Sequence, residues 1–302
     1  MTRVVPPVRH RRSVADGVVS HYAVVGEGAP LLLLHGFPQT WREWEGVIRE
    51  LAAEFMVIAP DLRGIGGVPG PANGYDVFTL AGDVRAIVDN EVGDAPMNVC
   101  GHDMGSYVAL AYALIHREHV TSLVLVDAPL LGTALGDSLW SNPRTWHIAF
   151  HANVDVAHML IAGRERAYVE HFIRSRLIAP DAISAETMDH YVRAYSAPGA
   201  LRSALETDRE IPRGSELVRA ELAERGRLTC PVTYVAGALT AVHADLQTML
   251  DELALSGRVR VVANSGHFVP DEQPAALARI IRETAAERTP SATTKEQLHE
   301  PS

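Results

Sequence analysis

Six short apolar runs recur along the chain, each closed by Gly, Pro or Asp: Pro30 to Gly36, Phe55 to Asp61, Met97 to Asp103, Ser122 to Ala128, Pro231 to Gly237 and Val259 to Gly266. Each is apolar on both faces, which suits strands buried inside a parallel sheet. Helical patterns lie between them, among them Trp41 to Ala53, Leu80 to Asn90 and Ser106 to Arg117. Parallel neighbours need a crossover, and strand–helix alternation supplies it, so the pattern predicts an α/β class: a mostly parallel sheet with helices on both faces. Gly17 to Gly26 adds an antiparallel strand at the start. The alternation stops after Ala128 and resumes at Pro231, with helical periodicity between. The expected organisation is therefore a split core, 1–129 and 229–288, a helical insertion over 130–228, and a loose polar tail over 289–302.

Composition narrows the function classes. Acidic residues number 37 against 27 basic, for a net charge of −10, which argues against a nucleic-acid groove. The one basic cluster, Arg9, Arg11 and Arg12, reads as a solvated N-terminal arm and is followed by no apolar core of a secretory signal. No apolar run approaches the length of a membrane span. Two cysteines, Cys100 and Cys230, are too few for a disulfide framework and lack metal-ligand spacing. These features predict a cytoplasmic protein without a metal, nucleic-acid or membrane partner; the chemistry read below takes a small-molecule substrate and needs no cofactor. The oligomeric state is left open, a homodimer being one form to test.

The segment Gly101-His102-Asp103-Met104-Gly105 joins a strand to a helix. Small–x–nucleophile–x–small at such a junction is a nucleophile elbow, with the flanking glycines admitting a tight, strained turn. The nucleophile position holds Asp103. A carboxylate attacks a saturated carbon bearing a leaving oxygen or halide and forms an alkyl-enzyme ester, whereas a serine would attack an acyl carbon. The loop His35-Gly36-Phe37-Pro38 follows another strand, so the backbone N–H groups of Phe37 and Met104 are the expected oxyanion donors. His267, after the last strand, is the expected general base. A base of this kind needs a carboxylate, and two places compete. Asp127 directly follows an apolar run and is preferred, because the loop after Gly237 offers no acid until Asp245. Asp61-Leu62-Arg63-Gly64 is expected to lock its loop by a local Asp–Arg contact, and His102 to pack under the elbow.

These segments, with Pro60-Asp61-Leu62-Arg63-Gly64 and Ser265-Gly266-His267-Phe268, make the chain similar, over about residues 15 to 286, to the α/β-hydrolases of the epoxide hydrolase and haloacid/haloalkane dehalogenase group. The resemblance implies that the helical insertion is a cap over the site. Haloalkane dehalogenases of the group carry Trp beside the nucleophile, and fluoroacetate-type enzymes carry arginines in the elbow helix. Met104 and Tyr107 stand in those places here, so both anion clamps are missing. Epoxide hydrolases that place their acid where Asp127 stands use a cap His and a cap Tyr on the epoxide oxygen. The His matches His147 in Thr145-Trp146-His147-Ile148-Ala149-Phe150-His151. The Tyr does not, because Asp208 of Thr207-Asp208-Arg209 occupies its place. The ring-opening donor is then His147, or Asp208 kept protonated by burial, or Tyr191 or Tyr195. His147 ranks first, and the plain reading of Asp208 is a solvated helix carboxylate beside Arg209.

The expected function is epoxide hydrolysis through an ester on Asp103. The alternatives are carbon–halogen hydrolysis with the same residues, and a non-hydrolytic tailoring enzyme or ligand-binding relative acting on a larger metabolite. Trp140, Trp146 and Phe150 suggest an aromatic wall. Trp146, Phe150, Tyr195 and Asp208 are the substrate-binding candidates.

Overall fold

In the computed structural model the residues described are 6–15, 17–67, 70–138, 142–240 and 245–287. The expected tail over 289–302 and the aromatic candidate Trp140 lie outside them. Eight strands form one sheet: β1 (Arg9–Ala15), β2 (Val18–Val25), β3 (Ala29–Leu34), β4 (Phe55–Pro60), β5 (Met97–His102), β6 (Val120–Val126), β7 (Val232–Gly237) and β8 (Gly257–Val262). Their order is β1-β2-β4-β3-β5-β6-β7-β8. The pairs β1–β2 and β2–β4 are antiparallel and the remaining pairs parallel. The crossover helices of the core are α1 (Glu45–Leu51), α2 (Val77–Glu91) and α3 (Met104–Ile115). Among the described residues seven α-helices lie between β6 and β7: α4 (Ala134–Ser138), α5 (Trp146–Ala152), α6 (Val154–Ile161), α7 (Glu165–Arg174), α8 (Ala185–Ser196), α9 (Ala200–Arg209) and α10 (Ile211–Arg225). The sheet resumes with α11 (Leu246–Leu253) between β7 and β8, then α12 (Val269–Glu272) and α13 (Pro274–Ala285).

Two apolar layers sandwich the sheet. On one face Trp44, Val47 and Leu51 meet Leu277 and Ile281 of α13. On the other, α2 and α3 contribute Leu80, Val84, Val108 and Leu110, and the helical block packs on the same layer. Every residue of α3 from Met104 to Leu114 is buried. Its alanines and glycine let the helix lie close to β5, so the turn between them is held rigidly at the sheet centre. Helix starts follow capping chemistry: Asp76 accepts from the N–H groups of Phe78 and Thr79 ahead of α2, and Ser184 accepts from Thr187 ahead of α8.

Three expectations change. The basic segment is no arm: Arg9, Arg11 and Arg12 belong to β1, an edge strand paired along its length with β2. Charge on an edge strand deters pairing with another chain, so the composition suits an edge as well as a tail. The last strand is not buried on both faces: Arg258, Arg260 and Val261 of β8 are exposed at the other edge. The Asp61–Arg63 contact does not form. Asp61 accepts from the Trp41 N–H at 2.9 Å and from His21 at 2.7 Å. Arg63 instead makes a bidentate pair with Asp83, at 2.6 and 2.7 Å. No helix among the described residues is long and apolar enough to cross a membrane.

Candidate active site

In an open parallel sheet the loops that leave the carboxyl ends of neighbouring strands converge on one edge. Here the loops after β3, β5, β6 and β8 bring Phe37, Asp103, Asp127 and His267 to one cavity of about 220 Å³. Asp103 sits between β5 and α3 with φ 51° and ψ −121°, a conformation strained for a residue with a Cβ. The turn is tight enough that a Cβ on Gly101 would come within 2.2 Å of the Gly105 carbonyl oxygen, and one on Gly105 within 2.1 Å of that of Leu34. Side chains at those positions are therefore excluded, and the carboxylate is pushed out over the sheet edge.

The two carboxylate oxygens of Asp103 differ. Oδ2 accepts from the Phe37 N–H at 2.9 Å. Oδ1 lies 3.8 Å from His267 Nε2, too long for a hydrogen bond and short enough for one water to serve both groups. Met104 contributes the first N–H of α3 but makes no capping bond to the Asp103 side chain. Burial alone would raise the Asp103 carboxyl. The imidazoles of His267 and His102, the Phe37 N–H and His147 outweigh it and hold the group below its ordinary value, in the ionised form.

On the far side of the imidazole, His267 Nδ1 is 2.8 Å from Asp127 Oδ2. The carboxylate can only accept, so Nδ1 carries the proton and Nε2 is left with its lone pair toward Asp103. Asp127 is itself fixed: the Thr240 hydroxyl and, at 3.4 Å, the Gly237 N–H donate to Oδ1. The competing acid, Asp245, begins α11 and is exposed. Beneath the pair His102 is fully buried; its Nε2 donates to the His267 carbonyl at 2.9 Å, and Nδ1 meets Glu43 at 3.0 Å. Burial and the nearby Asp103 push the Glu43 carboxyl well above its ordinary range.

The opposite wall comes from α5, α7 and α9. His147, Ile148, Phe172, Arg176 and Asp208 line the cavity. Trp146 and Phe150 do not. They are spaced i,i+4 on the other side of α5, where Trp146 is 46% exposed and Phe150 packs beside Val154, Leu201 and Leu205. Tyr191 and Tyr195 are also absent from the cavity. Tyr195 is buried on α8, donates to the Gln39 carbonyl at 3.0 Å and sets its ring edge-on to Phe37, so it braces the loop that carries the Phe37 N–H. Tyr191 points toward Asp271.

Asp208 is not a solvated carboxylate. It is buried, with His151 Nδ1 2.5 Å from Oδ2, and the other imidazole nitrogen meets the Tyr168 hydroxyl. Arg209 pairs with Glu206 instead. Burial raises the Asp208 carboxyl, against the pull of His151. Removing one partner of a buried pair strands the other. Asp208→Ala is expected to cost about 3–5 kcal/mol in urea unfolding, and a loss under 1 kcal/mol would show that water replaces the carboxylate.

His147 is held in the neutral form. Burial first, then the Arg176 guanidinium, bring its imidazole down to about 3 from the ordinary 6.5. The unfolded chain therefore binds the extra proton between those values. The stabilisation is complete above the ordinary value and is lost as pH falls toward the folded one. His147→Gln should flatten the dependence of unfolding free energy on pH by about 1.4 kcal/mol per unit between about pH 4 and 6. Parallel slopes for the two proteins would contradict the depressed value.

Sequence reasoning missed His151, Tyr168, Phe172 and Arg176. His151 was legible in principle, being one turn beyond His147 on α5. Arg176 follows α7 in a segment with no motif, and only the packing of the block brings it to Asp103.

The sheet order, the elbow and the convergent loops define an α/β hydrolase. A family model described as the alpha/beta hydrolase fold matches residues 29–274, and the chain belongs to that family. It is 36% identical to a soluble epoxide hydrolase of Corynebacterium sp. (strain C12), over 88% of this chain and 93% of the relative. It is 28% identical to a fluoroacetate dehalogenase of Burkholderia sp., over 90% and 92% of the two chains. Among solved structures, wild-type Cfl2 from Burkholderia cenocepacia superposes with a TM-score of 0.86 at 35% identity, covering 92% of this chain and 99% of that one. The chain is a hydrolase.

Proposed function

We propose that the enzyme hydrolyses an epoxide to a diol through an ester on Asp103. The observation that carries the reading is the asymmetry of that carboxylate, with Oδ2 held by the Phe37 N–H and Oδ1 facing the cavity beside His267. In this reading Oδ1 attacks an epoxide carbon, the carbon–oxygen bond breaks, and His147 donates a hydrogen bond to the opening oxygen. His267, oriented by Asp127, then takes a proton from water, which attacks Cγ of Asp103. Negative charge collects on Oδ2, where the Phe37 N–H meets it and the Met104 N–H is the second expected donor. Oδ1 departs as the new hydroxyl of the product.

The helical block, 130–228, is the cap of this reading, and 1–129 with 229–288 the core beneath it. Asp208 holds His151 and borders the substrate. The similarity to the soluble epoxide hydrolase along nearly the whole chain supports the assignment.

Arg176 favours a second reading, halide release by the same attack. The elbow helix lacks the arginines of fluoroacetate-type enzymes, but the cap supplies a guanidinium to the cavity. Diol formation from an epoxide panel, set beside halide release from fluoroacetate, chloroacetate and chloroalkanes, separates the two. Diol turnover with no halide supports the first reading; halide alone overturns it.

A further inference from the structure

His147 lines the cavity, and its Nδ1 has a fixed partner. Nδ1 lies 3.2 Å from Nη2 of Arg176. A guanidinium carries N–H donors only and stays charged, so Nδ1 must be the acceptor of this bond. The neutral imidazole has one proton, which is then on Nε2. Arg176 is itself locked. Nη1 donates to the Phe172 carbonyl at 2.9 Å and to the Ser175 hydroxyl at 3.2 Å, and the guanidinium carbon lies 3.7 Å from the centre of the Phe172 ring. The same ring stands edge-on to His147 at 5.1 Å. The Arg176 carbonyl accepts from the His267 N–H at 3.1 Å, so one residue ties the base's loop to the cap. Among the described residues, no carboxylate lies within ion-pair distance of this guanidinium.

We infer that Arg176 is a positioning residue that fixes His147 in the Nε2–H tautomer, so that the cap offers a neutral N–H to the oxygen leaving carbon. The inference rests on the epoxide reading for its role in turnover, and on the bond to Nδ1 alone for the tautomer. As Oδ1 of Asp103 bonds to carbon, the breaking C–O bond leaves its electron pair on oxygen, which takes the Nε2 proton. The imidazolate left behind faces the guanidinium and recovers a proton from water, and the hydroxide so formed is neutralised by the proton that ester hydrolysis releases. That proton is returned to solvent when the ester is hydrolysed, so ring opening and hydrolysis together consume one water. The groups around the imidazole are Arg176, His151, Asp103 and His267; all but Asp103 disfavour a second proton on it, and burial does so most.

The test is ¹⁵N NMR of the full chain labelled at histidine, with the His147 signals identified by their loss in His147→Gln. The expected wild-type pattern is a pyridine-like Nδ1 and a pyrrole-like Nε2. In Arg176→Met that pattern should give way to a tautomer mixture. In rapid-mixing experiments ester formation on Asp103 should slow by about 10²-fold while ester hydrolysis is unchanged. Arg176→Lys, which also offers donors only, should restore much of both. A protonated Nδ1 in the wild type, an unchanged tautomer in Arg176→Met, or an ester-forming rate within about threefold of wild type each overturns the inference. A wild type with the expected tautomer and no epoxide turnover would instead overturn the function and leave the tautomer assignment standing.

Discussion

His267→Gln is expected to stop turnover after the first half-reaction and leave Asp103 esterified. In the proposed mechanism the imidazole serves the second step only. Its Nε2 is 3.8 Å from Oδ1, so it can act on a water beside the ester, and attack by an already ionised Asp103 needs no base. Glutamine keeps polar bulk near the site but cannot accept a water proton. Loss of such a base costs about 10⁴-fold or more in steady-state rate. Intact-mass spectrometry after exposure to an epoxide panel should find one adduct per chain, mapped to the Asp103 peptide, and its mass would also identify the preferred substrate. An inactive variant with no adduct would mean that His267 acts before or during the attack.

The second large effect is expected for Asp103→Asn. An amide oxygen is a poor nucleophile, and its neutral N–H₂ would face either the Phe37 N–H or His267, so both attack and orientation suffer. Diol formation should fall at least about 10³-fold, with the stability change small because the side-chain volume is kept. Substrate binding, read by calorimetry, should survive. Turnover retained near wild-type level would remove the covalent route.

The geometry explains which parts of this molecule could be read from its chain and which could not. Asp103, Phe37, Asp127 and His267 all sit where a strand ends, and a parallel sheet gathers strand ends by topology. Recognising the strands was therefore enough to expect these residues near one another. The glycines at 101 and 105 report a backbone approach that admits no side chain, which is a local requirement and so a local signal. The opposite wall has no such signal. Helix α5 presents His147 and Ile148 to the cavity, sets His151 behind them against Asp208 and Tyr168, and turns Trp146 and Phe150 away, a choice made by the packing of α5 on α6 and α9. Asp208 follows the same logic. Its neighbour Arg209 invites a surface pair, yet helix α9 rotates Asp208 inward to His151 and leaves Arg209 to Glu206. The edge strands failed for a different reason. Charge in β1 mimics a solvated arm, and β8, read as a strand, exposes its arginines instead of being buried on both faces, because an edge strand needs charge for solubility and only one face for the core.

The covalent claim is tested most directly by a single turnover in H₂¹⁸O with enzyme in excess over epoxide. On this account water attacks Cγ of Asp103, and the oxygen that leaves with the product is Oδ1. The first diol should carry only ¹⁶O in its new hydroxyl, and the Asp103 peptide should gain one ¹⁸O that appears in product in later turnovers. Heavy oxygen in the diol of the first turnover, with none in Asp103, would mean that water attacks the epoxide directly and would contradict the account.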